Sequence, residues 1–183
     1  MLAVYTWLTG ALHLDGWIDT ADAIGSQRQR EGMLQIMKDS RVGAMGVVAA
    51  VLLLLLKGSA LGALLGEGGR LAAGALLVMP WAGRVSILMG LLCWPDARRG
   101  EGMVGLFHPL PKRGMLCSLV LSLFVAGLAG GWRGLAAAAA AFLMAWLLAR
   151  YLSARLGGLT GDTYGALCEG CEVSFLLAFL LLI

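Results

Sequence analysis

Long apolar tracts are the feature that most limits what this chain can fold into. A helix needs roughly 20 apolar residues to cross a hydrocarbon core of about 30 Å, and three of the five tracts reach that length or come close to it. The fifth would form only about 18 Å of helix, so we expect its helix to begin earlier, near Asp162. The five tracts are Gly46–Leu65, Leu71–Cys93, Met115–Gly130, Leu135–Leu152 and Glu172–Ile183.

The composition supports a membrane protein. Of the 183 residues, 60% are hydrophobic and 14% are charged, and the mean hydropathy is +0.84. Soluble domains carry about 25% charged residues, so we predict an all-α, polytopic membrane bundle formed by a single domain, residues 1–183. The net charge of +3 is small and scattered, which argues against a nucleic-acid-binding protein. We interpret the pair Cys168 and Cys171 as packing residues, because one pair supplies too few ligands for zinc.

The connections between the tracts alternate between the two sides of the membrane. Side one receives residues 15–45, 94–114 and 153–172, and side two receives residues 66–70 and 131–134. Short cytoplasmic loops are enriched in Lys and Arg, so we predict a multi-pass protein of the cell inner membrane whose side one faces the cytoplasm. Side one holds Arg28, Arg30, Lys38, Arg41, Arg98, Arg99, Lys112, Arg113, Arg150 and Arg155, whereas side two holds only Arg70 and Arg133.

The segment from His13 to Gly46 is as polar as the tracts are apolar, and it contains five of the eleven carboxylates. At about 100° per residue, a helix would place Asp15, Asp19 and Asp22 within about 60° of one another on one face. Such like charges destabilise a helix, which indicates that a cation lies among them. Carboxylate oxygens suit Mg²⁺, so we predict that the three aspartates hold Mg²⁺ on the cytoplasmic side. A solvated helix at the membrane surface is the alternative.

Cations near these acids are candidates for binding phosphate. Lys38 and Arg41 precede the first long tract, where they would either clamp phosphate oxygens or serve only as positive residues on the cytoplasmic side. Arg84 and Lys57 lie inside apolar tracts, where a charge is costly, so each should pair with an acid or a ligand inside the bundle. We predict that Arg84 binds substrate. For Lys57, an internal ion pair and a ligand contact both stay open.

A third polar stretch, residues 157–172, leads into the last tract. Spacings of seven and ten residues from Asp162 keep Glu169 and Glu172 near one helical face. We predict substrate-binding roles for Thr160, Glu169 and Glu172. The alternative is a helix cap at Thr160 or Asp162, followed by acids that reach toward the membrane surface.

The chain has two histidines. His13 is a candidate catalytic residue, as a base or as a hydrogen-bond donor to phosphate, although a structural histidine beside Trp17 is equally consistent with its position. His108 lies in the proline-containing stretch F-H-P-L-P-K-R-G and is predicted to belong to a loop.

Three motifs occur in a fixed order along the chain: H-L-D-G-x-x-D-T-A-D, then I-M-K-D-S-R-x-G-A-x-G, then G-G-L-T-G-D-T-x-G-A-x-x-E-x-x-E. Together they resemble the cobalamin synthase family, the adenosylcobinamide-GDP ribazoletransferases. The resemblance implies an integral membrane enzyme that uses Mg²⁺ to join α-ribazole, or its 5′-phosphate, to adenosylcobinamide-GDP with release of GMP. Family members usually carry several tens of residues ahead of the first motif, so we expect the N-terminus here to be shorter than usual.

The implied reaction is phosphoryl transfer, which mostly needs positioning, metal and charge neutralisation. Membrane lipids are the expected surroundings, and a homo-oligomer is left open. The expected roles are Mg²⁺ binding for Asp15, Asp19 and Asp22, metal ligation or orientation of the ribazole for Asp162 and Glu169, phosphate binding for Lys38, Arg41 and Arg84, and proton acceptance for Asp22 or Asp162.

Two other functions are weighed. A membrane phosphotransferase of the CDP-alcohol type also gathers aspartates near the cytoplasmic face, but its D-G-x-x-A-R spacing is absent, because Asp15 and Gly16 are followed by Trp, Ile, Asp and Thr. A transporter would line a path with Lys57 and Arg84, and it would be expected to show an internal repeat, which we do not detect.

Overall fold

The computed structural model describes residues 1–98 and 112–183, and the regular secondary structure in those ranges is helical. Four of the helices, α4 to α7, are long and apolar enough to cross a membrane, which confirms the predicted all-α membrane bundle. His108 and Arg99 lie outside the described residues. The helices are α1 (Leu2–Leu8), α2 (Leu12–Gly25), α3 (Arg30–Ile36), α4 (Ala44–Gly66), α5 (Gly69–Cys93), α6 (Lys112–Leu156) and α7 (Gly161–Leu181).

Helix α6 reverses direction at Gly131, where the backbone takes φ 58° and ψ −141°. A methyl group placed on Gly127 would touch the Leu135 side chain at 3.5 Å. In a straight helix, eight residues span about 12 Å along the axis, so this contact requires the two halves of α6 to lie antiparallel. The reversal explains why the sequence contains two apolar tracts here, Met115–Gly130 and Leu135–Leu152.

Helix α7 is the centre of the bundle. In its most apolar window 67% of the residues are buried, against 28% for α4, and it contacts α2, α4, α5 and α6. Its expected start is confirmed, because Thr160 is the N-cap: its side chain accepts a hydrogen bond from the Thr163 amide, and the Thr163 hydroxyl accepts one from the Thr160 amide. Phe175, Cys168 and Cys171 are buried in the core on this helix, where close packing rather than removal from water stabilises helix contacts.

The connections that were predicted to share one side of the membrane meet at one end of the bundle. The Ala97 amide donates to the Leu159 carbonyl and the Leu159 amide to the Pro95 carbonyl, each at 2.8 Å. The Arg30 side chain donates to the carbonyls of Leu156 at 2.6 Å and Ala97 at 3.1 Å. The segments that follow α2, α5 and α6 therefore form a single surface, and the first turn of α7 lies in it.

Candidate active site

Two glycines bring the acids of α2 to the first turn of α7. A β-carbon at Gly16 would lie 2.5 Å from the Asp162 carbonyl oxygen, and one at Gly165 would lie 2.8 Å from the His13 carbonyl oxygen. Real β-carbons do not approach other atoms so closely, so only glycine allows the two backbones to touch. This contact places Asp15 and Asp19, which flank Gly16 on α2, next to Asp162.

The charge around Asp19 is strongly negative. Burial and, in decreasing order, the carboxylates of Asp15, Asp162 and Asp22 together raise the pKa of Asp19 from 3.8 to about 6, while Arg98 acts in the opposite direction. Within residues 1–98 and 112–183, Asp15 and Asp19 form no hydrogen bond or ion pair through their carboxylates. The predicted shared face is thus confirmed, and two of its acids lack a protein partner.

Asp22 has a contact that the sequence did not predict. Its two carboxylate oxygens accept hydrogen bonds from the amides of Gly43 and Gly46, both at 2.7 Å. These amides begin α4, where the helix dipole favours a negative charge. A β-carbon on either glycine would collide with the carboxylate, so the two glycines of the second motif form a cradle for Asp22. Asp22 therefore fixes α2 against α4, while its oxygens keep further lone pairs.

Asp162 lies in the first turn of α7 and forms an ion pair with Arg98. Its Oδ2 accepts a hydrogen bond from Arg98 Nη2 at 2.8 Å and a longer one from the Thr160 hydroxyl at 3.4 Å. Thr160 is fully buried, and its N-cap role agrees with the alternative that the sequence left open for this stretch. Arg98 Nε is buried and has no hydrogen-bond partner within residues 1–98 and 112–183. The arginine is thus only partly used by the protein.

Deeper in the bundle, a second group of charges is fully paired. Lys57 Nζ donates to Glu169 and, at 2.6 Å, to Glu172. Arg84 Nη1 donates to Glu172 and, at 2.6 Å, to the Tyr5 hydroxyl, which in turn donates to Glu172 at 2.6 Å. Two acids balance two cations, and Lys57 and Glu172 are almost completely buried. The expectation that both intramembrane cations pair inside the bundle is confirmed.

This paired group lies away from the acidic end. Glu169 and Glu172 follow Asp162 by seven and ten residues, so they lie about 10 and 15 Å further along α7. Their substrate-binding roles, and that of Arg84, stay predictions. The charges that act on His13 belong to the paired group: burial is the main cause that lowers its pKa, followed by the charge of Arg84. The imidazole is therefore neutral at pH 7.

Lys38 and Arg41 lie in the segment that joins α3 to α4, next to the cradle of Asp22. Arg41 is exposed and donates from Nη2 to Asp39 at 2.7 Å. That arginine, through its hydrogen bonds, lowers the pKa of Asp39 to about 2. The phosphate-binding role of both cations stays a prediction.

The chain matches a family of known proteins along almost its whole length. Residues 1–180 match the family model of cobalamin-5-phosphate synthase. This chain belongs to the cobalamin-5-phosphate synthase family. It is 46% identical over 183 residues to the adenosylcobinamide-GDP ribazoletransferase of Pseudomonas aeruginosa, covering 99% of this chain and 73% of that protein. It is 40% identical over 178 residues to the protein of the same name from Brevibacillus brevis, covering 96% of this chain and 71% of that protein. No solved structure matches the chain.

The acids of this cobalamin-5-phosphate synthase fit Mg²⁺ through their chemistry. In the described ranges, no three His, Cys, Asp or Glu side chains form a ready metal site. However, Mg²⁺ at phosphate-transfer sites is usually held by one or two carboxylates, together with water and substrate phosphates. Asp15 and Asp19 supply two carboxylates without a protein partner, and their mutual repulsion favours a bound cation.

Sequence reasoning about this synthase missed two contacts at the site. Arg98 was counted only as a positive residue of side one, because nothing in its local sequence distinguishes it from a topological charge. The cradle of Asp22 was also missed, although the paired glycines at positions 43 and 46 were a usable signal: a helix start that lacks side chains leaves its amides open to an anion.

Proposed function

We propose that this chain transfers α-ribazole, or α-ribazole 5′-phosphate, onto adenosylcobinamide-GDP, releases GMP and depends on Mg²⁺. The membership of the cobalamin-5-phosphate synthase family and the names of the relatives support this reaction. The single observation that carries the proposed mechanism is the contact between Gly16 and the Asp162 backbone, because it unites two unpaired acids with a third acid from the other end of the chain.

The reaction exchanges one phosphorus–oxygen bond for another. A hydroxyl oxygen of the ribazole forms a bond to the phosphorus already attached to the cobinamide. The bond between that phosphorus and the bridging oxygen breaks, and its electron pair leaves with GMP. Mg²⁺, when bound, neutralises charge on the diphosphate, and we expect Asp15 and Asp19 to hold it, with Asp22 as the third predicted ligand.

The hydroxyl proton needs an acceptor close to the attacking oxygen. We assign this role to Asp162 rather than Asp22, because both oxygens of Asp22 are fixed by backbone amides. Asp162 uses only Oδ2 for its contacts with Arg98 and Thr160, so Oδ1 is left for the proton. His13 is the alternative acceptor, since it is neutral at pH 7.

Cations on two sides of the acids are suited to the substrate phosphates. Lys38 and Arg41 approach from the exposed segment before α4. Arg84 contacts the protein through Nη1, and its side chain is 36% exposed. Glu172 and Tyr5 hold Nη1, which leaves the rest of the guanidinium for a phosphate. Glu169 then acts on this arginine through Lys57 and Glu172, and Thr160 acts by starting α7.

We further propose that the site faces the cytoplasm from the inner membrane. The excess of Lys and Arg on the connections of side one supports this orientation, and so does the meeting of those connections at the end of the bundle that contains the acids. Adenosylcobinamide-GDP and ribazole phosphate are both charged, so a site open to water suits them.

One assay tests the proposal. The purified full chain in detergent is incubated with adenosylcobinamide-GDP, ribazole phosphate and Mg²⁺, and GMP is measured. We expect Asp15→Asn to lower the rate about 100-fold, because a lost metal ligand costs several kcal/mol in the transition state. Glu31→Gln is the matched control: Glu31 is an exposed acid of the same segment, and we expect its rate to stay within about twofold of wild type.

Chelation of the metal should abolish GMP release, and Mg²⁺ should restore it. The reaction assignment fails if the wild-type protein releases no GMP. The assignment of the metal site fails if GMP is released at the wild-type rate by the Asp15→Asn variant.

A further inference from the structure

In the described part of the chain, the Arg98 guanidinium makes one hydrogen bond, although its geometry allows two parallel ones to a single ligand. Its Nη2 donates to Asp162 Oδ2 at 2.8 Å, while Nε is buried and donates to nothing in the described part of the chain. Nε–H and Nη2–H point in parallel and form the fork that binds carboxylates and phosphates bidentately. The buried and unsatisfied N–H is costly for the protein, so it indicates a ligand that this arginine has yet to receive.

The surroundings of Arg98 identify the kind of ligand. The charges that act on Asp19 are three carboxylates and one cation, and the cation is Arg98. The arginine side chain is 18% exposed and Asp162 is 22% exposed, so the pair lies close to the surface, and the buried Nε meets a ligand only when the guanidinium moves. Among the described residues, Arg98 is thus the positive charge that acts on this acidic cluster.

We propose that Arg98 changes partners during the catalytic cycle. In the metal-free protein it neutralises Asp162, and when a divalent metal and a diphosphate bind, Nε and Nη2 move to phosphoryl oxygens. This inference rests on the proposed function for the identity of the diphosphate. When Arg98 leaves Asp162, Oδ2 of Asp162 loses its hydrogen bond from Nη2. The metal then supplies the positive charge that Arg98 had provided.

The exchange has a consequence that a structural arginine would not have. Arg98 and the metal both stabilise the same acids, so they compete for them in the absence of phosphate. Loss of Arg98 should therefore strengthen the binding of metal alone. The same loss should weaken the binding of diphosphate, because its bidentate donor is gone.

The test measures both affinities on the full chain in detergent. Mn²⁺ alone is titrated by electron paramagnetic resonance, and inorganic pyrophosphate is titrated by calorimetry at saturating Mn²⁺. For Arg98→Gln we expect Mn²⁺ to bind about tenfold more tightly and pyrophosphate about tenfold more weakly, since one charge-assisted contact is gained or lost. Arg98→Lys keeps the charge without the fork, so we expect unchanged Mn²⁺ binding and weakened pyrophosphate binding.

Arg155→Gln is the matched control, because Arg155 is an exposed cation at the same end of the bundle; both affinities should stay within about twofold. Weaker or unchanged Mn²⁺ binding by Arg98→Gln overturns the exchange, since Arg98 would then only hold Asp162 in position. If Arg98→Gln does not fold, unweakened pyrophosphate binding by Arg98→Lys overturns it. The wild-type protein could release no GMP while Arg98→Gln still shows tighter Mn²⁺ binding and weaker pyrophosphate binding. That result would support the exchange and reject the proposed reaction.

Discussion

The molecule contains two groups of charges with opposite character. Deep in the bundle, Lys57 and Arg84 balance Glu169 and Glu172, and the four groups bind one another. At the end of the bundle, four aspartates of α2 and α7 lie near Arg98, and within residues 1–98 and 112–183 two of these aspartates have no partner. In the first group the acids and cations are equal in number, whereas among the described residues the second group is deficient in positive charge.

The balance of charge distinguishes the two groups more clearly than burial or motif membership does. Both groups contain residues of the three sequence motifs, and both contain acids on α7. A balanced buried network is costly to break. An unbalanced cluster costs stability in the absence of a ligand, so it persists only where the ligand matters. The expected responses to mutation differ accordingly.

The largest effect is expected from breaking the balanced group. Glu172→Ala leaves Arg84 without its acid and Lys57 with one acid instead of two, and a buried charge without a partner destabilises a fold by about 3–5 kcal/mol. Thermal unfolding in detergent measures the loss. As a control, Lys57→Met combined with Glu169→Gln removes one charge of each sign, and we expect a smaller loss. Equal losses would show that charge balance does not stabilise this region.

A smaller effect is expected from separating the helices that form the acidic cluster. Gly165→Ala places a methyl group against the His13 carbonyl oxygen and the Gly16 backbone, and such overpacking costs about 1–3 kcal/mol. Because α2 moves away from α7, Mn²⁺ affinity should fall together with the unfolding temperature. The control is Gly62→Ala, since a β-carbon at Gly62 meets no atom within 4 Å. Unchanged Mn²⁺ binding in Gly165→Ala would contradict the joint site.

The smallest expected effect is a gain rather than a loss in the free energy of unfolding. The folded protein raises the pKa of Asp19 from 3.8 to about 6, so folding favours the protonated form, and this stabilisation is lost as the pH rises from about 4 through 6. Asp19→Asn removes the unfavourable charge and should stabilise the metal-free protein by about 1 kcal/mol at pH 7.5, a value reduced because solvent screens a partly exposed carboxylate. At pH 4.5 the gain should shrink.

Unfolding temperatures of wild type and Asp19→Asn at the two pH values measure this gain. Destabilisation of Asp19→Asn at pH 7.5 would mean that Asp19 has a favourable partner and would remove the contrast between the two groups of charges.

The sequence predicted those features that depend on neighbouring residues along one helix or on the apolar solvent of the membrane. The lengths of the apolar tracts predicted α4 and α5 closely, the shortness of the last tract predicted the start of α7, and the cost of charge in hydrocarbon predicted the pairing of Lys57. The periodicity of α2 also predicted that its three aspartates share a face. Each of these follows from residues that are neighbours along one helix or from the membrane acting as solvent.

The remaining features depend on contacts between distant parts of the chain. The cradle of Asp22 joins residues 21 and 24 positions apart, and the pairing of Arg98 with Asp162 spans 64 positions. No local pattern encodes the pairing of Arg98 with Asp162, and the two glycines at the start of α4 are the one local signal of the cradle. The break between α1 and α2 at Gly10 and Ala11, where φ is positive, is likewise a feature that the apolar tracts do not predict.

The reversal at Gly131 determines on which membrane surface α7 begins. Because α6 folds back on itself, its last turn returns to the end of the bundle from which the helix started, and Gly161 follows there. If α6 ran straight, the chain would make one crossing fewer before α7, and the first turn of that helix would emerge at the opposite surface. Whether the number of crossings before α7 is odd or even thus depends on the backbone of one residue, and so does the compartment that Asp162 faces.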